Sequence, residues 1–152
     1  VGTLIPIKKL IDRGFESPIN LKDPKVQAEE RFSSDAYGMV PTLKEYWKFI
    51  DVQSKKVGLV NEALKVGRSD QIVLKNNPKD YPEFSIQNIA SNGNIWTGYD
   101  DSFYALFKQG EYPGENPLSN GIRIDYGKFN YYTGGDISGI DGMGQTDMDA
   151  LE

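Results

Sequence analysis

The stretch that decides the fold is SNGIRIDYGKFNYYTGGD, residues 119–136. Apolar and polar residues alternate on both sides of Gly127, and this period of two is typical of β-strands with one buried face. Gly127 marks a turn between the two strands, so the stretch predicts a β-hairpin. The second strand ends at Gly134-Gly135-Asp136, where the glycines let the backbone approach a neighbouring group closely.

Two helices are predicted upstream of this hairpin. Residues 42–56 carry apolar side chains at helical spacing, and two lysines in the last turn suit the negative end of the helix dipole. Thr42 and Glu45 have the spacing of a capping box, which predicts that the helix begins there. Asp23-Pro24 predicts a second helix start, with Asp23 as the N-cap and Pro24 in the first helical position.

The other patterns are those of short strands. They are predicted within residues 1–14, which end at a glycine turn, and over residues 71–74, 84–89 and 94–97. Asn92-Gly93 is a strong signal for a two-residue hairpin turn. Residues 103–108 predict a helical turn or a short helix.

The last sixteen residues are glycine-rich and acidic. Thr146 and Asp149 have capping-box spacing, and we expect the helix that they open to continue beyond this segment, because so short a helix is marginal by itself. A calcium loop beginning at Asp136 needs glycine at its sixth position, but Asp141 stands there. A solvated acidic loop is therefore the favoured interpretation of these carboxylates.

Composition excludes several functions. The net charge is −5, from 17 basic and 22 acidic residues, so the chain lacks the basic footprint that direct nucleic-acid binding requires. No apolar run approaches the ~20 residues needed to span a bilayer. Cysteine and histidine are both absent, which leaves no thiolate and no imidazole for catalysis or for zinc.

Asp136 is the candidate functional residue. A carboxylate at a strand end on a tight turn is well placed to be a hard metal ligand. The same residue could instead cap the turn that follows the strand. Local chemistry leaves both interpretations open.

A wider pattern resembles one family. Glu115-Asn116, a strand, the turn Tyr126-Gly127-Lys128-Phe129 and a strand ending in Thr133-Gly134-Gly135-Asp136 are similar to metallo-β-lactamase-fold proteins akin to the hydrolase domain of the competence protein ComEC. Those proteins have an "EN..S" element, a "YGKF" turn and a strand ending in "TGD", and this chain has one extra glycine. Residues 10–14 resemble the segment that follows the family's "HxHxDH" loop and its helix.

The resemblance implies a zinc-dependent hydrolase acting on a phosphodiester or another ester-like substrate. In the family, the aspartate of "TGD" bridges two zinc ions, and Asp136 matches it. The histidine ligands that the family requires are missing here. We therefore expect residues 1–152 to be a single partial domain from the interior of a longer enzyme, not competent for catalysis, with two zinc ions bound in the full-length parent only.

Alternatives remain open at this stage. The chain could be a degenerate family member that kept the fold and lost the metals. It could also be a non-catalytic module that binds a carbohydrate or a protein through aromatic loops. Core packing is the plainer interpretation of the aromatic residues concerned, which are Trp96, Tyr99, Phe103, Tyr104, Phe107 and Tyr112.

The expected architecture is α/β, with a mixed sheet made mostly of antiparallel hairpins and the 42–56 helix packed on one face. In the parent, this sheet would form part of a metallo-β-lactamase-like αββα sandwich. A piece of such a sandwich exposes an apolar face. We therefore expect the chain to associate with the rest of its parent or with another copy of itself, and to contact neither nucleic acid nor a membrane.

Overall fold

A computed structural model describes residues 5–33 and 39–137, and the chain divides into two compact units, Val1–Ala63 and Leu64–Glu152. The fold is α/β, with a small parallel strand pair in the first unit and a five-stranded antiparallel sheet in the second. The predicted antiparallel hairpins are confirmed. Among the described residues, parallel pairing occurs only in the separate strand pair and is not mixed into the larger sheet. A single partial domain over residues 1–152 stays a prediction.

The first unit is built on a strand–helix–strand crossover. Strand β1 (Lys9–Asp12) and strand β2 (Val60–Ala63) pair in parallel. A parallel pair needs a long crossover connection, and here it contains two short helices, α1 (Pro24–Gln27) and α2 (Glu30–Ser33), and the long helix α3 (Val40–Val57). Both strands therefore end at the same edge of the pair.

The long helix is confirmed, but its predicted start is wrong. Helix α3 begins at Val40, not at Thr42, and its N-cap Met39 makes no side-chain capping bond. Pro41 lies in the first turn, where a missing N–H costs no helical hydrogen bond, and it allows the helix to begin upstream of the capping-box residues. The helix ends at Val57, and the C-cap Gly58 has a positive φ and donates its N–H to carbonyls of the last turn.

The start of α1 is confirmed as predicted. Asp23 is the N-cap, its carboxylate accepts a hydrogen bond from the Lys25 N–H at 2.8 Å, and Pro24 opens the helix. The buried apolar side chains of this unit come from the crossover segment and from both ends of α3; they are Ile19, Leu21, Phe32, Val40, Leu43 and Leu59.

The sheet of the second unit has the strand order β5-β4-β3-β6-β7, with every pairing antiparallel. Its buried centre is formed by Ala90 and Ile95, on which Leu106 and Ile137 pack. The strands, in chain order, are β3 (Phe84–Ser91), β4 (Asn94–Trp96), β5 (Phe103–Ala105), β6 (Gly121–Tyr126) and β7 (Phe129–Thr133).

Both predicted hairpin turns are confirmed. Asn92 and Gly93 have φ values of 55° and 71°, the left-handed pair that a type I′ turn requires, and they join β3 to β4. Gly127 has a φ of 59° and, with Lys128, joins β6 to β7 in a two-residue loop. Glycine at the first loop position favours a turn whose twist matches that of the two strands.

The predicted strand at residues 71–74 is wrong. Gln71 is buried, and its side-chain oxygen accepts hydrogen bonds from the Lys65 N–H and from the Asn88 amide, both at 2.9 Å. This side chain therefore holds an irregular loop against β3, while Val73 is exposed. Apolar composition alone could not reveal that the segment is organised by a buried amide.

The predicted helical turn at residues 103–108 is also wrong. Phe103–Ala105 forms the edge strand β5, paired with β4. The Leu106 N–H continues the ladder by donating to the Gly93 carbonyl at 2.8 Å. A three-residue strand gives too short a pattern to be separated from a helical turn by periodicity. The predicted helix at the C-terminal end, opened by Thr146, lies outside the described residues.

Asn88 ties the loop at residues 65–71 to β3, since its buried side-chain amide donates to the Lys65 carbonyl at 3.0 Å and to Gln71. We expect Asn88→Ala to lower the free energy of unfolding by about 1–3 kcal/mol, because it removes the two hydrogen bonds that hold the loop against β3. Urea denaturation measures the change. The neighbouring half-buried Gln87→Ala is the control, and an equal loss in both variants would contradict this role.

Candidate functional site

Asp136 lies three residues beyond the end of β7, on the turn formed with Gly135. Its backbone N–H donates a long hydrogen bond of 3.4 Å to the Ser119 hydroxyl, which ties the turn to the segment just before β6. The side chain is exposed, and within residues 5–33 and 39–137 no hydrogen bond or ion pair engages its carboxylate. The turn therefore presents a carboxylate to solvent at the tip of the hairpin.

The two glycines before Asp136 are required by the local packing. A Cβ at Gly134 would collide with the hydroxyl of Tyr132, whose ring folds back over this end of the strand. Gly135 has a φ of 57°, and a Cβ there would lie 3.1 Å from that of Ser119. The sequence predicts that the backbone at these glycines approaches a neighbouring group closely. The neighbouring groups are side chains of this same chain, and their close packing fixes the position of Asp136.

The predicted metal site contains one ligand. Histidine and cysteine are absent from the chain, and within the described ranges no group of three acidic side chains lies close enough together to hold a metal ion. Asp141, Asp147 and Asp149, which the sequence suggests as a solvated acidic loop, lie outside those ranges. Asp136 alone cannot form a dinuclear centre.

The structure does not gather on one surface the aromatic residues that the alternative of a binding module would use. Trp96 and Phe103 are opposite each other on β4 and β5, so they share a face, whereas Tyr104 pairs with Ile95 on the other face. The Phe107 ring packs on Gly93, where any Cβ would overlap it. Tyr99, at 78% exposure, is the most open of the set.

A second candidate site, which sequence reasoning missed, is a cleft of about 540 Å³ in the first unit. It lies at the edge where β1 and β2 both end, at Asp12 and Ala63. Ligands of parallel α/β structures bind preferentially beyond the carboxyl ends of the strands. Trp47 and Ile50 of α3, and Phe15 after β1, form its apolar wall.

Asp12 is the centre of this cleft. Its carboxylate accepts three hydrogen bonds: from the Gly14 N–H at 2.8 Å, from the Tyr46 hydroxyl at 2.6 Å and from the Asn61 amide at 2.9 Å. All three donors are neutral, so they orient the carboxylate without cancelling its charge. A Cβ at Gly14 would lie 2.9 Å from that of Ala63, so this turn needs glycine.

Burial raises the pKa of Tyr46 well above the usual tyrosine value, and the hydrogen bond to Asp12 and the charge of that carboxylate raise it further. Tyr46 is therefore a fixed donor at neutral pH and is not poised to act as a base. The ring of Phe15 contacts those of Tyr46 and Trp47 edge-on, at 5.8 and 6.2 Å between centroids. The Arg13 guanidinium lies 4.2 Å from the centroid of Phe15.

Lysines neutralise the acidic rim of the cleft. The ion pairs join Lys22 to Glu16 at 2.8 Å, Lys55 to Asp51 at 2.6 Å and Lys9 to Glu62 at 2.8 Å. The cleft thus offers an aromatic wall, amide and hydroxyl groups and one oriented carboxylate. This arrangement suits the binding of a small polar ligand. Its lining includes no activated nucleophile with an adjacent base.

Comparisons of the chain with protein-family models, curated proteins and solved structures found no match. The helices within the described residues include none that is both long enough and apolar enough to cross a bilayer.

Tyr46→Phe removes one donor from Asp12 and keeps the ring. We expect the free energy of unfolding to fall by about 1 kcal/mol, because the part-buried Asp12 carboxylate loses one of its three hydrogen-bond donors. Urea denaturation at neutral pH measures this loss. Tyr81→Phe, at an exposed position in the other unit, is the matched control, and equal effects in the two variants would contradict the assignment.

The raised pKa of Tyr46 also predicts a pH dependence. Folding favours the protonated phenol, so its contribution to stability is complete below the unfolded-state pKa of about 10 and is lost as the pH rises above that value. The stability difference between the wild type and Tyr46→Phe should therefore be constant up to about pH 9 and shrink between about pH 10 and about pH 12. A difference that is constant or grows over this range would contradict the prediction.

Proposed function

We propose that this chain is the interior portion of a zinc-dependent hydrolase of the metallo-β-lactamase fold, in which it supplies one metal ligand, Asp136. The observation that carries the proposal is the exposed carboxylate of Asp136, held at the end of β7 by a Gly-Gly turn and engaged by no described side chain. A carboxylate so placed is available to a ligand that the rest of a longer polypeptide completes.

The residues of this chain alone do not fit a zinc pair. Such a centre needs several nitrogen or oxygen ligands, with imidazole the commonest, and this chain has no histidine. The other ligands would have to come from outside residues 1–152, and so would the metal-activated water. The chain by itself is therefore not competent for zinc-dependent catalysis. A phosphodiester or ester-like substrate is proposed for the longer enzyme from the family resemblance.

The αββα sandwich belongs to the same proposal. The pairing registers place Phe84, Ile124 and Tyr126 on the same face of the second unit's sheet as Phe129 and Tyr131. Phe129 and Tyr131 are 60% and 51% exposed. An apolar sheet face with this much exposure is what a missing layer of a sandwich would cover.

The cleft around Asp12 favours a second candidate function, that of a non-catalytic binding module. Trp47 offers a planar apolar surface, and Asn61 and Ser54 offer polar groups, a combination that suits a carbohydrate. This candidate does not involve Asp136. Titration calorimetry with simple sugars, on the chain and on a Trp47→Ala variant, separates it from the metal proposal.

We expect this chain to bind zinc no more tightly than other acidic proteins of its size, because one carboxylate provides a single ligand. Titration calorimetry with zinc on the purified chain measures this. Tight binding at a fixed stoichiometry would mean that the chain holds a complete site, and would contradict the interior-portion proposal.

In the natural polypeptide that contains this chain, Asp136→Ala should abolish zinc-dependent hydrolysis of a phosphodiester such as bis(4-nitrophenyl) phosphate. It should leave the circular dichroism spectrum unchanged, since the side chain is exposed. Asp80→Ala, at another exposed carboxylate in the second unit, is the matched control. Full turnover in Asp136→Ala would remove this residue from the site.

A further inference from the structure

We propose that β7 is a dimerisation edge. Two copies of this chain pair antiparallel along Phe129–Thr133, about a two-fold axis at Tyr131, and join their sheets into one. This inference goes beyond the metal-ligand proposal and does not rest on it, because it uses the backbone of β7 and not the carboxylate of Asp136.

Strand β7 is the last strand of its sheet, and all five of its residues are exposed. Tyr126 and Phe129 flank the two-residue loop and form the closing hydrogen-bonded pair of the hairpin. Hydrogen-bonded pairs alternate along an antiparallel ladder, so Phe129, Tyr131 and Thr133 bond to β6. The N–H and C=O groups of Asn130 and Tyr132 therefore point away from β6, along the open edge.

A two-fold axis at Tyr131 places the outward-pointing backbone groups of the two copies opposite each other. Asn130 then pairs with the partner's Tyr132, and Tyr132 with the partner's Asn130, and each pair exchanges two backbone hydrogen bonds. Tyr131 faces the partner's Tyr131 in a non-hydrogen-bonded pair, in which side chains are closest. An aromatic pair directly across two strands stabilises such a pairing.

Charge is compatible with this two-fold arrangement. Phe129–Thr133 contains no charged residue, so antiparallel pairing opposes no like charges. The same register places Lys128, just before the strand, opposite the partner's Gly134, so this lysine also meets no like charge.

Within the part of the chain that the structure describes, this edge shows none of the features that normally prevent strand pairing. Protected edges are short, bulged or covered, or carry lysine or proline. Strand β7 has five residues with neither lysine nor proline, and its pairing with β6 is regular. The opposite edge, β5, has three residues and is the weaker template.

The surface area that pairing buries sets the expected affinity of the dimer. Phe129, Tyr131 and Tyr132 are each about half exposed, and a covered aromatic side chain buries ~150–250 Å². Pairing of two copies therefore buries several hundred Å², below the ~1,200 Å² of a stable interface. We expect a dimer that dissociates in the micromolar range or above and forms reversibly.

Sedimentation velocity on the intact chain from about 5 to about 500 µM tests the proposal, and the average mass should rise towards that of a dimer. Asn130→Pro should keep the chain monomeric throughout, because it removes an outward N–H and spares the bonds to β6. Ala105→Pro is the matched control. The Leu106 N–H donates to Gly93 and the Ser102 carbonyl accepts from Thr97, on either side of β4, so by alternation the Ala105 N–H points outward and dimerisation should persist. Circular dichroism and urea midpoints at low concentration verify folding.

A cysteine cross-link tests the register independently of proline, since the chain has no cysteine of its own. Tyr131→Cys places two thiols opposite each other on the axis, at a Cα separation of about 4.5 Å that a disulfide spans. It should form a disulfide-linked dimer under mild oxidation. Thr133→Cys faces the partner's Phe129 and should cross-link at least tenfold more slowly.

Three results would overturn the proposal. The first is a monomeric mass at every concentration. The second is a dimer that persists in folded Asn130→Pro but is lost in Ala105→Pro, which would place the interface on β5. The third is cross-linking of Thr133→Cys at the rate of Tyr131→Cys, which would exclude the two-fold register about Tyr131.

Discussion

The register of the β6–β7 hairpin is the constraint on which the second unit depends. The Gly127 turn closes the hairpin so that Ile124 lies opposite Tyr131 and Tyr126 lies opposite Phe129. A slip of one residue would move every side chain of β7 to the other face of the sheet. The same register sets the position of Asp136 beyond the strand, the composition of the apolar face and the direction of each backbone group on the open edge.

Local sequence signals predicted the elements that local chemistry determines. The hairpins at Asn92-Gly93 and Gly127, the helix start at Asp23 and the long helix α3 each follow from turn residues, caps or periodicity within a short window. The position of Asp136 followed from the same hairpin. Its proposed role as a metal ligand follows from the family resemblance.

The errors have a common physical cause, which is that distant groups decided the local structure. Residues 71–74 are apolar enough for a strand, but Gln71 accepts a hydrogen bond from Asn88, seventeen positions away, and the segment forms a loop. The cleft could not be predicted because its hydrogen bonds join residues that are distant in sequence. Asp12 accepts from Tyr46, 34 residues away, and from Asn61, 49 residues away. Parallel pairing of β1 with β2 brings Asp12 and Asn61 together, and a single sequence does not reveal that pairing.

Amide hydrogen exchange along β7, measured at low concentration by NMR, tests the hairpin register most directly. The account predicts alternation, with slow exchange at Phe129, Tyr131 and Thr133 and fast exchange at Asn130 and Tyr132. Uniform protection of the five amides, or the opposite alternation, would contradict the register on which the placement of Asp136 and the open edge both depend.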